Sequence, residues 1–288
     1  MDTLKDNCRL VTAVMICAVF CSQSGISQEK IVYKMIDSVS LSMEIYTPEP
    51  GQGDQPEKYP AIVFFFGGGW NIGDISQFRP HAKYFTERGM VSVLVEYRVS
   101  SRNKSTPFES LEDAKSAIRF LRANAERFHI DPDRIVASGG SAGGQLAAAA
   151  ATSKKYNDKN DNLSISARPN ALVLFNPVID NGPGGYGYDR IGEEYLNFSP
   201  LHNLRRGAPP TILFLGTKDE AIPVETVQYY KKVMEKIGSR CDLHLYEGQT
   251  HGFFNFKWTK YYKKTVLEAD KFLISIGFLK GAPTILDQ

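Results

Sequence analysis

Gly139-Gly140-Ser141-Ala142-Gly143 stands between an apolar run, Arg134-Ile135-Val136-Ala137, and a helix-forming stretch that begins Gln145-Leu146 and continues in alanines. A serine enclosed by glycines at a strand-to-helix turn has the pattern of a nucleophile elbow, where the hydroxyl is exposed on a bend too tight for bulky neighbours. Glycine at 139, 140, 143 and 144 suits such a bend. The same pattern also fits an ordinary glycine-rich turn or a phosphate-cradling loop. Its meaning therefore depends on what else the chain carries.

Three further segments bear on it. Phe64-Phe65-Phe66-Gly67-Gly68-Gly69-Trp70 reads as an apolar strand ending in glycines, whose unobstructed backbone N–H groups could bind an oxyanion or simply form a flexible loop. Asp219 lies just beyond the apolar run Thr211-Ile212-Leu213-Phe214-Leu215, where a carboxylate can orient a histidine or cap the helix after Pro223. Its neighbour Glu220 has the longer side chain and is the weaker candidate. Of five histidines, His244 falls inside a strand, His129 ends a helix, and His81 and His202 lie in polar segments. His251, next to Gly252 and after the strand Cys241-Asp242-Leu243-His244-Leu245-Tyr246, is the one placed to swing onto a serine. The order Ser141, Asp219, His251 is that expected of a triad on one hydrolase scaffold.

With these residues in hand, the chain resembles an α/β-hydrolase of the hormone-sensitive-lipase and carbohydrate-esterase type, closest to acetylxylan-esterase-like and feruloyl-esterase-like proteins. Those families carry HGGGW or HGGGF, GxSAGG, GxxDxxVP and HGF, and this chain matches the four in order from about Tyr59 to Phe278. Ile130-Asp131-Pro132-Asp133-Arg134-Ile135 and Glu96-Tyr97-Arg98 add to the likeness. The resemblance implies a catalytic set of Ser141, Asp219 and His251, with oxyanion donors at the N–H groups of Gly68, Gly69 and Ala142. One departure stands out. Phe66 occupies the position of the family histidine before the glycines, so a packing role is expected where a polar side chain would have braced the loop.

The 288 residues, 42% of them hydrophobic, can bury one large core, and a net charge of +2 gives no case for nucleic acid. Lys5 and Arg9 precede an apolar stretch of about a dozen residues, too short to span a bilayer stably but suited to a signal peptide over residues 1–27. Export to the periplasm or the medium follows as an expectation. Cleavage is expected after Ser24 or Ser27, with lipid anchoring at Cys21 the lesser alternative. Cys8, Cys17 and Cys21 fall in that leader, leaving Cys241 as a small buried residue of the mature chain.

Residues 28–288 are expected to form a single α/β domain. Strands at 31–36 and 41–46 read as an antiparallel hairpin, followed by a polar linker over 48–58. Further strands at 61–66, 91–97, 134–138, 171–176, 211–215 and 241–246 alternate with helices, notably 108–128 and 224–237. The alternation predicts an eight-stranded, mostly parallel sheet with helices on both faces, its active residues at the strand carboxyl ends. Segment 153–168 reads as solvated surface. Segment 181–197 reads either as a flexible loop or as a specificity element whose Tyr186, Tyr188 and Arg190, together with Trp70, contact a sugar or aromatic ring.

The reading is two-step hydrolysis of short-chain esters, acetyl or feruloyl on carbohydrate, without metal or organic cofactor, since no HExxH or dinucleotide fingerprint occurs. Two rivals remain: a serine peptidase of prolyl-oligopeptidase type, and a non-catalytic binding module on the same fold.

Overall fold

The computed structural model describes residues 26–48 and 58–285. The expected leader at 1–27 and the linker at 48–58 lie outside the described residues apart from their last two and end residues, respectively. Residues 26 and 27 already belong to the first strand.

Eight strands form one sheet: β1 (Ile26–Ile36), β2 (Val39–Pro48), β3 (Tyr59–Phe65), β4 (Val91–Val95), β5 (Ile130–Gly140), β6 (Ala171–Phe175), β7 (Thr211–Gly216) and β8 (Cys241–Tyr246). Their order across the sheet is β1-β2-β4-β3-β5-β6-β7-β8. β1 pairs antiparallel with β2 and β2 antiparallel with β4, while every pairing from β4 through β8 is parallel. Between the strands run α1 (Arg79–Glu87), α2 (Ser100–Asn103), α3 (Pro107–Ala123), α4 (Ala142–Thr152), α5 (Tyr188–Ile191), α6 (Tyr195–Phe198) and α7 (Val224–Lys236), with α8 (Thr259–Ser275) closing the fold. The fold is that of an α/β-hydrolase. Among the described residues no helix is long and apolar enough to cross a membrane.

All residues of β3, β4 and β6 are buried, which requires cover on both faces of the sheet. The β-branched and aromatic content of these runs suits a pleated surface packed on two sides. α3 begins with a capping box: Glu109 N–H donates to Thr106 Oγ1 while Thr106 N–H donates to the Glu109 carboxylate at 2.8 Å, and Pro107 takes the first helical position. The helix stops at Ala123, earlier than the apolar pattern suggests, and residues up to His129 form turns with His129 itself at φ 53°.

The Glu96-Tyr97-Arg98 segment ties α3 to the sheet. Asp113 of α3 is buried and accepts from Arg98 Nε at 2.8 Å and from Lys34 Nζ at 2.7 Å. Removing one member of such a buried cluster costs about 3–5 kcal/mol, because the partners are left charged and unpaired.

His81, expected in a polar segment, is instead fully buried. It lies on the apolar face of α1, with its ring 4.9 Å from Phe78, 5.3 Å from Phe175 and 4.8 Å from Tyr262. Charged neighbours Arg79, Lys83 and Glu87 mask this in the sequence, since one turn of helix separates the faces. Neither ring nitrogen has a hydrogen-bond partner among the described residues. Burial drives the imidazole pKa down to about 3, so it is neutral in the folded protein.

The pH dependence of stability follows. The folded pKa lies below the unfolded value of about 6.5, so the unfolded chain takes up the proton first as pH falls, and the contribution of neutral His81 is lost below that value. By pH 5 the loss amounts to about 2 kcal/mol. Guanidinium denaturation at pH 7.5 and pH 5 should show that much more acid destabilisation in wild type than in His81→Leu, and equal slopes would contradict the assignment.

Candidate active site

The carboxyl ends of five neighbouring strands supply the site. Gly67, Gly68 and Gly69 follow β3, Ser141 follows β5, Asn176 follows β6, Asp219 follows β7 and His251 follows β8.

Ser141 has φ 53° and ψ −119°, a strained backbone for a residue with a side chain. The turn is pinned by Ser141 N–H donating to the Phe175 carbonyl at 3.0 Å, while the Ser141 carbonyl accepts from Gln145 and Val178. Gly143 passes so close to β3 that a Cβ there would lie 2.1 Å from the Phe65 carbonyl oxygen. Glycine is therefore required by packing as much as by backbone freedom.

His251 Nε2 lies 2.9 Å from Ser141 Oγ, and its Nδ1 lies 2.8 Å from Asp219 Oδ2. An ionised carboxylate can only accept, so Nδ1 carries the proton and Nε2 is the acceptor for the serine hydroxyl. The Asp219 side chain is fully buried and the imidazole about one-third exposed (34%). Asp219 Oδ1 accepts from the amides of Ala221 at 2.9 Å and Ile222 at 3.0 Å. One oxygen thus closes the turn that Asp219 begins and the other faces His251; the expected cap on the helix after Pro223 is not made, since α7 has no side-chain cap bond. Glu220 is exposed.

The glycine loop runs alongside the elbow, and a Cβ built on Gly67 would sit 3.4 Å from Ser141 Cβ. The Gly67 amide is occupied, donating to Gln77 Oε1 at 2.7 Å. The amides of Gly68, Gly69 and Ala142 have no acceptor among the described residues. Gly68 and Gly69 have φ of 125° and 63°, which turns the chain after β3. Ala142 opens α4, where N–H groups have no partner within the helix. Phe66 is buried against Tyr97, with ring centroids 4.1 Å apart, and Tyr97 Oη donates to the Phe66 carbonyl at 2.6 Å.

A cleft of about 440 Å³ opens over Ser141 and His251. Tyr186 and Arg190 line it, as do Gln77, Phe254 and Asn255. Arg190 Nη1 donates to the Gly69 carbonyl at 2.7 Å. Trp70 and Tyr188 do not reach this cleft. Trp70 is 1% exposed, beneath the Arg190 guanidinium with its indole N–H directed at Gln145 Oε1, because φ of 55° at Trp70 turns the side chain inward. Tyr188 turns away to donate to Glu193 at 2.7 Å. Segment 181–203 is anchored, with Asn181 Nδ2 donating to the Tyr186 carbonyl and Asn181 N–H to Ser199 Oγ.

Asn176 was not singled out by its motif context. It is fully buried at φ 35°; its Oδ1 accepts from Gly252 N–H at 3.0 Å, and its Nδ2 lies 3.4 Å from His251 Nε2. A polar residue closing an apolar strand before Pro177 is the trace it leaves in the sequence. Gln77 and Asn255 are joined at 2.9 Å across 178 positions, and no local pattern marks either.

The BD-FAE family profile matches residues 43–183, and that of the dienelactone hydrolase family matches residues 177–276. Among solved structures, the apo form of Thermogutta terrifontis esterase 2 superposes with a TM-score of 0.83 at 44% identity, covering 88% of this chain and 96% of that one. The same esterase phosphorylated by paraoxon superposes with a TM-score of 0.82 at 43% identity, with the same coverage. An acetylxylan esterase of Xylanibacter ruminicola is 25% identical over 265 residues, 86% of this chain and 51% of its own length. The chain spans about half the length of the curated relatives it matches.

Asn176→Ala removes both the brace on Gly252 and the amide beside Nε2. The expected result is a fall in kcat of about tenfold, equivalent to one hydrogen bond, with KM nearly unchanged. A variant with wild-type kcat would show that the imidazole needs no such support.

Proposed function

The chain belongs to the α/β-hydrolase esterases of the hormone-sensitive-lipase-like group, and on that premise we propose that it hydrolyses short-chain carboxylic esters through an acyl-enzyme. The observation that carries the reading is the unbroken chain of contacts from Ser141 Oγ to His251 at 2.9 Å and from His251 to Asp219 at 2.8 Å. Ser141 Oγ bonds to the acyl carbon as its proton passes to His251 Nε2. The carbon–alkoxy bond then breaks and the alcohol leaves with that proton. Water, deprotonated by His251, attacks the acyl-serine, and the carboxylic acid leaves as Ser141 recovers its proton. Asp219 holds the imidazole in the working tautomer and stabilises its charged form. The amides of Gly68, Gly69 and Ala142 receive the negative oxygen of both tetrahedral intermediates, each such donor contributing about a hundredfold to a thousandfold in rate.

The cleft supports a small acyl group. Its apolar side chains are Ile72 and Phe254, with Tyr186 amphipathic, and the rest of the wall is glycine, amide, hydroxyl, histidine or guanidinium. A long acyl chain would find little apolar surface there. Asn71, Gln77, Asn255, Tyr186 and Arg190 offer the hydrogen-bonding groups that sugar hydroxyls require, which favours acetyl or feruloyl esters of carbohydrate. Residues 1–27 support an exported enzyme meeting such glycans outside the cytoplasm.

Wild type should turn over p-nitrophenyl acetate, and Ser141→Ala should lose about a thousandfold or more in kcat/KM. Paraoxon should add a phosphoryl group to wild type and none to Ser141→Ala, as read by intact mass. Undiminished activity or labelling in the variant would refute the assignment.

Arg190 distinguishes two roles. If it contacts the carbohydrate, Arg190→Ala raises KM for acetylated xylo-oligosaccharides several-fold and spares kcat on p-nitrophenyl acetate. A fall in kcat on both esters would mean that its bond to the Gly69 carbonyl is what matters.

A further inference from the structure

A second pocket of about 270 Å³ lies between α3, the carboxyl end of α4 and segment 153–168. α4 separates it from Ser141 by about 16 Å, at 1.5 Å per residue over 11 residues. An occupant would not touch the nucleophile.

Segment 153–168, expected to be mere solvated surface, is built onto α3 by cationic side chains. Arg119 Nε donates to the Ile165 carbonyl at 3.0 Å, and Arg122 Nε holds the Pro132 carbonyl while its other nitrogens hold those of Ser166 and Arg168. Lys115, 2% exposed, donates to the carbonyls of Ser153 at 2.9 Å and of Lys155. Those carbonyls stand at or just beyond the end of α4, where a helix favours a cation.

That accounts for Lys115 but not for the charges gathered around it. The pocket wall contains Lys115, Arg119, Lys154, Arg168 and Arg205, and no carboxylate. Asp161 pairs with Arg119 at 2.7 Å. Arg168 donates to the Gly207 carbonyl, and neither the Lys154 ammonium nor the Arg205 guanidinium has an ion pair or hydrogen bond among the described residues, their bonds being made by main-chain carbonyls. Burial, then the charges of Arg119 and Arg205, lower the Lys115 pKa to about 7. The wall thus holds more positive charge than the surrounding protein offsets, in a chain whose net charge is only +2.

We propose that this pocket binds a tetrahedral oxyanion, a phosphate or sulfate group, with the Arg205 and Arg168 guanidinium groups and Lys154 closing on its oxygens. Guanidinium forks match such oxygens in pairs, and several converging cations suit a doubly charged group better than a monovalent one. The volume leaves room for the anion and part of a molecule that carries it. The site is independent of the ester chemistry.

The test compares the full-length protein in sodium phosphate, sodium sulfate and sodium chloride at equal ionic strength, by thermal melting and by calorimetric titration. Phosphate at saturation should raise Tm by about 2–4 °C over chloride. Lys154→Ala/Arg205→Ala, which removes no intramolecular bond, should lose that increment and bind phosphate at least tenfold more weakly. Its hydrolysis of p-nitrophenyl acetate should match wild type. Because sulfate stabilises proteins generally by exclusion from their surfaces, the difference between wild type and variant is the decisive readout. Tighter binding of a sulfated oligosaccharide than of inorganic sulfate would assign the group to a sugar, and equal binding would assign the free ion. No advantage of phosphate over chloride in wild type, or an equal advantage in the double variant, overturns the proposal.

Discussion

The contact between Gly143 and the end of β3 is the constraint on which the site's geometry depends. Where α4 begins, its backbone approaches the Phe65 and Phe66 carbonyl oxygens more closely than any Cβ would allow. The first turn of α4 and the glycine loop after β3 are thereby held at one fixed separation. Ser141 and Ala142 stand on one side of this junction, Gly68 and Gly69 on the other. A hydroxyl and a set of free amides can be kept in register to a fraction of an ångström only if their supports touch, and here they touch through main chain. The strained φ of Ser141 persists because its amide and carbonyl are both committed to neighbours.

Asp219 shows the same sharing at the far end of the line of contacts from Ser141 through His251. One oxygen satisfies two amides of its own turn and the other faces His251. A buried carboxylate with three donors is fixed in direction, so the imidazole has one orientation in which both its nitrogens are used. Asn176 completes this arrangement from β6 by gripping the chain at Gly252, next to the imidazole. The three strand ends of β6, β7 and β8 therefore determine the position of one ring.

How much of this was legible in the chain depends on the range of the interaction. The elbow, the glycine loop and the post-strand positions of Asp219 and His251 are local patterns, set by backbone needs within a few residues, and the eight strands follow from apolar runs of short length. What escaped is what depends on distant partners. Gln77 meets Asn255 across 178 positions. His81 reads as polar because its charged neighbours share its stretch of sequence, whereas the fold sorts them onto opposite faces of α1. Trp70 reads as a surface aromatic beside a cleft, yet a positive φ turns it under Arg190. Segment 153–168 reads as solvated because its own charges are visible, while the α3 cations that bind its carbonyls, Lys115, Arg119 and Arg122, lie far off in the chain.

The Phe66 departure is best understood in the same physical terms. A histidine before the glycines would offer a hydrogen bond to steady the loop, and Phe66 cannot. The loop is nevertheless fixed at nearly every residue. Phe66 stacks on Tyr97 while its carbonyl takes the Tyr97 hydroxyl, and the Gly67 amide is held by Gln77. The Gly69 carbonyl accepts from Arg190, the Trp70 carbonyl from Ser100 N–H and the Asn71 carbonyl from Ser101 N–H. A single polar side chain is replaced by aromatic packing and a row of main-chain bonds. Because the amides of Gly68 and Gly69 are left out of that row, the loop is rigid where it meets the protein and unpaired where an oxyanion would sit.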